Sequence, residues 1–219
     1  MMKVKNNLKN ILSIFFLSIA LFLNAQQNKF IGGLLLNING ICITGNSGQF
    51  WNLSNGKVSG GHVGISAGIF VKREFTRKIY STLEFRYIAK GSIYVFTSQY
   101  GTQAFETLYL RYVELPVLFG YKIKLNKRVY YFESGLAFAK LISSKIEADY
   151  SLNINGIPNT NEFKSTDISW IGSLKFPLIR KWEKNFLFGL RVSHSILPIH
   201  KYYKIYNFDY GIEFNYRFN

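Results

Sequence analysis

The last twelve residues before the terminal asparagine alternate strictly between two kinds of side chain. Every second position is aromatic or aliphatic, at Phe208, Tyr210, Ile212, Phe214, Tyr216 and Phe218. The positions between them hold asparagines, charged residues and one glycine. Because successive side chains of a β-strand point to opposite faces, this pattern predicts a terminal strand with one apolar and one polar face.

The same period-two alternation recurs along the rest of the chain. Counting the terminal strand, it appears in eight segments, at residues 29–42, 61–73, 79–92, 107–125, 128–143, 166–180, 186–197 and 207–218. In the second segment, for example, one face carries Val63, Ile65, Ala67, Ile69 and Val71. A period of two indicates strands and not helices. The fold class is therefore predicted to be all-β.

The lengths of the segments and of the links between them narrow the architecture. Strands of soluble sheets usually have about 5–6 residues, whereas a tilted strand needs about 9–11 to cross a membrane. Short links near residues 73–78, 125–127 and 181–185 alternate with longer ones at 43–60, 93–106, 144–165 and 198–206. Bacterial barrels alternate in this way between periplasmic turns and external loops. We expect an eight-stranded antiparallel transmembrane up-and-down β-barrel with both termini in the periplasm.

The first 25 residues resemble an export signal. Lys3, Lys5 and Lys9 precede an apolar run at residues 11–23, and Ala25 follows shortly after. The run is shorter than the roughly 20 apolar residues of a membrane-spanning helix. We predict a cleaved signal peptide at 1–25 and a barrel domain at 26–219, with an uncleaved anchor as the alternative.

Charge and cysteine content exclude other classes of protein. The net charge is +15, which in isolation invites a nucleic-acid partner. However, the basic residues are scattered through strands and turns, and an exported chain does not meet nucleic acid. Cys42 is the single cysteine, so an intramolecular disulfide framework is excluded.

Residues 111–121, with the sequence Arg-Tyr-Val-Glu-Leu-Pro-Val-Leu-Phe-Gly-Tyr, carry a resemblance to a known family. Together with the Asn-Ala-Gln signal junction and the terminal Tyr216-Arg217-Phe218, they look like the PorT-like outer-membrane β-barrels of Bacteroidetes. The resemblance implies an outer-membrane location and, from the family's namesake, a part in protein secretion and gliding motility. Pro116 lies in the middle of this strand and lacks a backbone N–H, so we expect a β-bulge there.

Two charged sets are candidates for function. The first set faces the barrel interior by parity and is predicted to form a lumen polar network, comprising Glu84, Arg86, Glu114, Lys122, Glu133, Lys175, Arg191, Glu213 and Arg217. Eight strands leave an interior that side chains fill, so a plug of ion pairs is expected, with a narrow ion path as the alternative. The second set surrounds the short links and is predicted to form a periplasmic basic ring, comprising Lys72, Arg73, Arg77, Lys78, Lys127, Arg128, Arg180, Lys181 and Lys184. Such a ring attracts anionic lipid headgroups or an acidic periplasmic partner.

Catalysis finds little support in the sequence. His194 lies between Ser193 and Ser195 on a predicted strand, so its side chain points away from both hydroxyls. Neither His62 nor His200 has metal-ligand spacing with another suitable residue. We therefore expect a protein without enzymatic activity, cofactor or metal.

The expected partners are outer-membrane lipid and periplasmic or secretion-system proteins, not nucleic acid. The expected role is that of a structural or interaction component of the envelope, accessory to secretion or motility. Two alternatives stay open. One is an adhesin or ligand-binding barrel that uses its external loops, including Phe50 and Trp51. The other is an outer-membrane enzyme that modifies lipid.

Overall fold

The computed structural model describes residues 30–45, 57–97, 103–125, 128–148, 160–179 and 185–218. The predicted signal peptide lies outside these ranges, as do Phe50 and Trp51. Within them the chain forms nine β-strands and one short 3₁₀ helix, at Thr160–Glu162. The strands are β1 (Phe30–Gly45), β2 (Lys57–Gly60), β3 (His62–Glu74), β4 (Ile79–Thr97), β5 (Gln103–Leu125), β6 (Arg128–Ala148), β7 (Thr166–Phe176), β8 (Phe186–Ser195) and β9 (Ile205–Arg217). No helix in these ranges is long and apolar enough to cross a membrane.

The strands form one closed antiparallel sheet. Each of β4 to β8 pairs with the next strand along the chain, and β9 pairs with β1 over thirteen residue pairs, from Gly33–Arg217 to Gly45–Ile205. The circle is completed by β3, which lies between β1 and β4. The short β2 also pairs with β4 and continues the line of β3 after a break at Gly61. The wall therefore has eight positions, which confirms the predicted eight-stranded up-and-down barrel.

Alternation along each strand separates the two faces of the wall. On β3 the outward side chains are apolar and exposed, including Val63, Ile65 and Ile69. On β9, Tyr210, Ile212 and the aromatic residues up to Phe218 point outward, while the polar residues between them are mostly buried inside. This inverts the arrangement of a soluble protein and matches a barrel whose outer surface meets lipid.

The strands β4, β5 and β6 extend furthest beyond the segments that the sequence pattern indicated. The predicted long link at 93–106 is largely strand, since β4 continues to Thr97 and β5 begins at Gln103, with Val95 opposite Phe105. Likewise, β6 continues to Ala148. At 19 to 23 residues, β4, β5 and β6 exceed the roughly 9–11 residues that a membrane strand needs, so this part of the wall extends beyond the bilayer.

The expected bulge at Pro116 is wrong. Pro116 lies opposite Ala137 in an uninterrupted register with β6. Toward β4, pairing is absent between Leu83–Val117 and Arg86–Glu114 but resumes in the same register. The strand therefore tolerates the missing N–H of Pro116 by a local gap in the ladder. The register shift in β5–β6 lies elsewhere, between Arg111 and Tyr112.

Candidate functional site: the barrel interior and its two ends

Charged residues are concentrated inside the barrel because the inward positions of its strands are polar. Among the described residues, seven basic side chains and seven carboxylates are less than a tenth exposed. They are Lys72, Arg73, Arg86, Lys90, Lys175, Arg191 and Arg217, and Glu84, Glu106, Glu114, Glu133, Asp167, Asp209 and Glu213. Buried charges are tolerated only when they are paired, and here the two signs are equal in number.

The first ion cluster lies in the half of the barrel nearer the short turns. Its centre is the Lys175 ammonium, whose Nζ lies 2.6 Å from Glu213 Oε1, 2.7 Å from Glu133 Oε2 and 3.9 Å from Glu84 Oε1. Arg191 donates to Glu84 Oε2 and to Glu213 Oε2, each at 2.8 Å. Five residues from β4, β6, β7, β8 and β9 are thereby joined across the lumen.

The second ion cluster lies nearer the long links. The Glu114 carboxylate pairs with the Arg86 guanidinium, and its Oε1 also accepts from Lys90 Nζ at 3.0 Å. Lys90 Nζ is in turn 3.2 Å from Asp167 Oδ2, which also accepts from Ser195 Oγ at 3.0 Å. This chain of contacts joins β4, β5, β7 and β8 around fully desolvated charges.

Aromatic rings and basic groups fill the end of the barrel at the short turns. The Lys72 ammonium lies 4.0 Å from the ring centre of Tyr80 and 4.6 Å from that of Tyr131. The Arg217 guanidinium is 4.7 Å from the Tyr131 ring centre. Such cation–π contacts stabilise a cation that is removed from water. At the rim, Lys122 Nζ pairs with Glu74 Oε1 at 2.6 Å.

An apolar plug closes the opposite end. Two surface segments, 160–165 and 196–204, lie against each other, with the Lys164 N–H donating to the Ile199 carbonyl at 2.7 Å and the Lys201 N–H donating to the Glu162 carbonyl at 3.1 Å. Phe163 and Ile199 are buried in a cluster with side chains of the wall, including Ile43, Ile88, Tyr94, Leu108 and Leu110. The lumen is thus filled by charge pairs in its middle and by apolar side chains at this end.

His200 joins the two segments of the plug. Its Nδ1 accepts from the N–H groups of Tyr202 and Tyr203, at 3.2 and 3.3 Å, and its Nε2 lies 3.3 Å from Glu162 Oε2. Because Nδ1 accepts two hydrogen bonds, the proton of the neutral ring is on Nε2 and faces the carboxylate. Burial lowers the pKa of His200 below its usual value, although the Glu162 carboxylate acts in the opposite direction.

Eight of the nine residues of the predicted lumen network lie buried inside the barrel, and Lys122 lies at its rim. Seven of them form the two ion clusters, while Arg217 contacts Tyr131. The prediction left out Lys90 and Asp167, which hold the second cluster together. Lys90 lies an even number of residues from Arg86 on β4, and Asp167 lies an even number from Ser169 on β7. The alternation along each strand therefore indicates that both side chains face the interior.

The predicted basic ring is divided. Arg77, Lys78 and Arg128 are exposed at the short turns, whereas Lys127, Arg180, Lys181 and Lys184 lie outside the described residues. Lys72 and Arg73 do not belong to an exposed ring, being only 2% and 5% exposed. The rings of Tyr80 and Tyr131 cover Lys72, and the Arg73 guanidinium lies over the Phe75 ring, 5.4 Å from its centre.

The candidate catalytic residues are not brought together. Ser193 and Ser195 are buried inside the barrel, and Ser195 is engaged with Asp167. His194 is half-buried on the other face of the same strand, with its Nε2 3.3 Å from Thr44 Oγ1. A hydroxyl nucleophile and its base must lie within hydrogen-bond reach on one face, which these serines and His194 do not.

A family model for an outer membrane protein beta-barrel domain matches residues 24–201 of the chain. No curated protein matches the chain. Among solved structures, it is similar to the attachment invasion locus protein Ail of Yersinia pestis in complex with sucrose octasulfate, at 13% identity over 87% of this chain and 99% of that one, with a TM-score of 0.42. OprG of Pseudomonas aeruginosa is 12% identical over 88% and 95% of the two chains, with a TM-score of 0.45. Neisserial surface protein A is 10% identical over 88% and 100%, with a TM-score of 0.46.

Proposed function

Because this chain belongs to the outer membrane protein beta-barrel domain family and is an integral outer-membrane protein, we propose that it acts through its surfaces, as a non-enzymatic structural or interaction component of the envelope. The observation that carries the proposal is the filled, charge-balanced interior. Among the described residues, charges are paired across the middle of the lumen and an apolar cluster is buried at one end, which does not favour the passage of a solute. A role in transport through the barrel is therefore less well supported than a role at its surfaces.

The proposed orientation places both termini and the short turns in the periplasm, after export by the signal peptide at 1–25. Short turns on the side of the termini and long links on the opposite side support it, since bacterial barrels are built that way. The plug and the extended parts of β4, β5 and β6 then face the cell exterior. Arg77 and Lys78 then face the periplasm.

The first role to test is that of an accessory to protein secretion or gliding motility. The resemblance of residues 111–121 to PorT-like barrels supports this choice, and Arg77 and Lys78 supply exposed positive charge for an acidic periplasmic partner. The experiment is quantitative proteomics of medium and periplasm from a deletion strain and from strains complemented with wild type or variants. Loss of cargo from the medium with accumulation in the periplasm is the expected result. Unchanged profiles in the deletion strain would rule the secretion role out.

Two matched charge reversals test whether secretion depends on the periplasmic turn or on the external end of the barrel. Arg77→Glu with Lys78→Glu changes the periplasmic turn, and Lys201→Glu with Lys204→Glu makes the same change of charge at the exposed plug. A secretion defect in the first variant alone supports docking at the short turn. A gel shift on heating, which folded barrels show, checks that both variants reach the membrane folded.

The second candidate function is adhesion or ligand binding at the external end. Its support is the surface of the plug, where Tyr202 is 74% exposed between Lys201 and Lys204. An exposed aromatic ring among cations is suited to contact with an anionic surface. The pair Lys201→Glu and Lys204→Glu should then abolish adhesion of whole cells while secretion stays normal. Normal adhesion of that variant would count against this function.

A further inference from the structure

On the outer face of β6, a lysine interrupts a row of exposed apolar side chains. Its outward residues Phe132, Leu136 and Phe138 are exposed and apolar, and the next outward residue is Lys140. The strand register gives the neighbours of these residues. Phe138 lies between Leu115 of β5 and Ile168 of β7, whereas Lys140 lies between Val113 and Thr166. Lys140 thus follows Phe138 on the outer face, and Ile142 beyond it is again exposed and apolar.

An apolar groove lies beside Lys140. It has a volume of about 550 Å³. The large apolar side chains along it are Val113, Leu115, Phe138, Ile168, Leu197 and Pro198, and two lysines, Lys140 and Lys164, also line it. Ligand pockets have volumes of roughly 300–1,000 Å³ and combine a mostly apolar lining with a few polar groups. The groove has both properties.

Backbone hydrogen bonds hold the groove in shape. The Leu141 N–H donates to the Ser165 carbonyl at 2.9 Å, and the Ile196 N–H donates to the Ile168 carbonyl at 2.7 Å. The bond from Lys164 to Ile199 then ties the segment that carries Lys164 to the segment that carries Leu197 and Pro198. The groove is therefore formed before any ligand arrives.

The two lysines of the groove have no carboxylate partner among the residues that the structure describes. Asp167 also borders the groove, but its carboxylate is occupied inside the barrel by Lys90 at 3.2 Å and by Ser195. In the same part of the outer face, Glu147 pairs with Lys145 at 2.6 Å. Lys140 and Lys164 therefore place positive charge, unpaired among the described residues, beside the apolar lining of the groove.

We propose that this groove binds a single phosphate-bearing acyl lipid of the surrounding membrane. The acyl chain lies along Leu115, Phe138 and Ile168, and the phosphate is held by the ammonium groups of Lys140 and Lys164. Lipid is the fitting occupant because the groove opens on the face of the barrel that meets the bilayer, and its two lysines lie beside an apolar lining. The site depends on the outer-membrane location alone and not on a role in secretion.

The test compares lipid retention by purified wild type and variants. Protein in micelles of phosphatidylglycerol mixed with phosphatidylcholine is analysed by native mass spectrometry, and bound lipids are counted. Wild type should retain one phosphatidylglycerol in preference to phosphatidylcholine. Lys140→Gln with Lys164→Gln should lower this preference about tenfold, since each lysine close to an anionic lipid contributes a several-fold gain.

A matched control and a second variant make the test specific. Lys201→Gln with Lys204→Gln removes two exposed lysines that do not line the groove and should leave the preference unchanged. Val113→Trp fills the groove while keeping both lysines, and should reduce retention of phosphatidylglycerol. The proposal is overturned if the groove lysines and the control lysines have equal effects, if Val113→Trp changes nothing, or if inorganic phosphate alone displaces the lipid.

Discussion

At the scale of single residues, Glu114 is the carboxylate on which the second ion cluster depends. It is fully buried and accepts from both Arg86 and Lys90. Removing one partner of a buried pair leaves uncompensated charge, which typically lowers stability by about 3–5 kcal/mol. We expect Glu114→Ala to lower the free energy of unfolding by about 3 kcal/mol, measured by urea denaturation in lipid vesicles. The variant should still show no steady conductance in planar bilayers.

Glu147 provides the matched control for Glu114. It also forms a short ion pair, 2.6 Å from Lys145, but both side chains are more than half exposed. Exposed pairs contribute little because water screens them. Glu147→Gln should therefore leave the urea midpoint unchanged. Equal losses in the two variants would show that burial is not what makes Glu114 important, and a steady conductance in wild type would contradict a filled lumen.

We expect His200 to make the plug sensitive to acid. Its pKa is lowered by burial, so the folded plug binds the proton less well than the unfolded segment does. Stability from neutral His200 is complete above the usual pKa of about 6.5 and is lost as the pH falls from there through the lowered pKa. A protonated Nδ1 no longer accepts from Tyr202 and Tyr203. We expect the amides of these two tyrosines to lose protection from hydrogen exchange at acid pH, after correction for the intrinsic exchange rate.

Glu162→Gln tests the sign of this effect. The Glu162 carboxylate favours the protonated ring, 3.3 Å away, so its removal should lower the pKa of His200 further. The variant should open over a lower range of pH than wild type. An unchanged range would mean that some other group controls the opening.

At the scale of strands, the sequence pattern predicted well which strands exist and which way their side chains face. It predicted less well where the strands end and which residues their side chains contact. Period-two alternation is a local property, so it predicted every wall position and the inward side of Glu84 and Lys175. It did not predict that Lys175 meets both Glu84 and Glu213, because these contacts cross the lumen and depend on three strands at once. The extension of β4 to Thr97 was missed for a similar reason, since it depends on a partner, β5, that extends equally far.

Gly120 of β5 shows how tightly the turn end of the lumen is packed. A Cβ atom at this position would overlap the ring of Tyr80, which is fully buried. Overpacking of this kind typically destabilises by about 1–3 kcal/mol. We expect Gly120→Ala to lower the free energy of unfolding by that amount. In the control Gly61→Ala, the nearest atom to the new Cβ is 3.7 Å away, so no loss is expected.

At the scale of the whole molecule, the barrel closes between its first and last strands. Cys42 of β1 lies directly opposite Phe208 of β9. Opposed residues of an antiparallel pair have Cα atoms about 4.5–5.5 Å apart, which suits a disulfide. Phe208→Cys should therefore form a disulfide with the native Cys42 on mild oxidation. The measurement is a change of mobility in a denaturing gel that reductant reverses.

Ile212→Cys is the control for the position of closure. Ile212 also lies on the outward face of β9, but it is opposite Ile38, four residues away from Cys42 along β1. A strand advances about 3.3 Å per residue, so the two thiols are too far apart to bond. Equal cross-linking of both variants would contradict the register between β1 and β9.

The ion clusters also have a consequence for how the barrel is assembled. Lys175 of β7 takes its partners from β4, β6 and β9, and Arg191 of β8 takes its partners from β4 and β9. A partly inserted sheet that lacks β9 would hold these cations in the hydrocarbon without Glu213, at a high free energy. Strand-by-strand entry is therefore disfavoured, and the chain is expected to insert in one concerted step in which the last strand arrives together with the others.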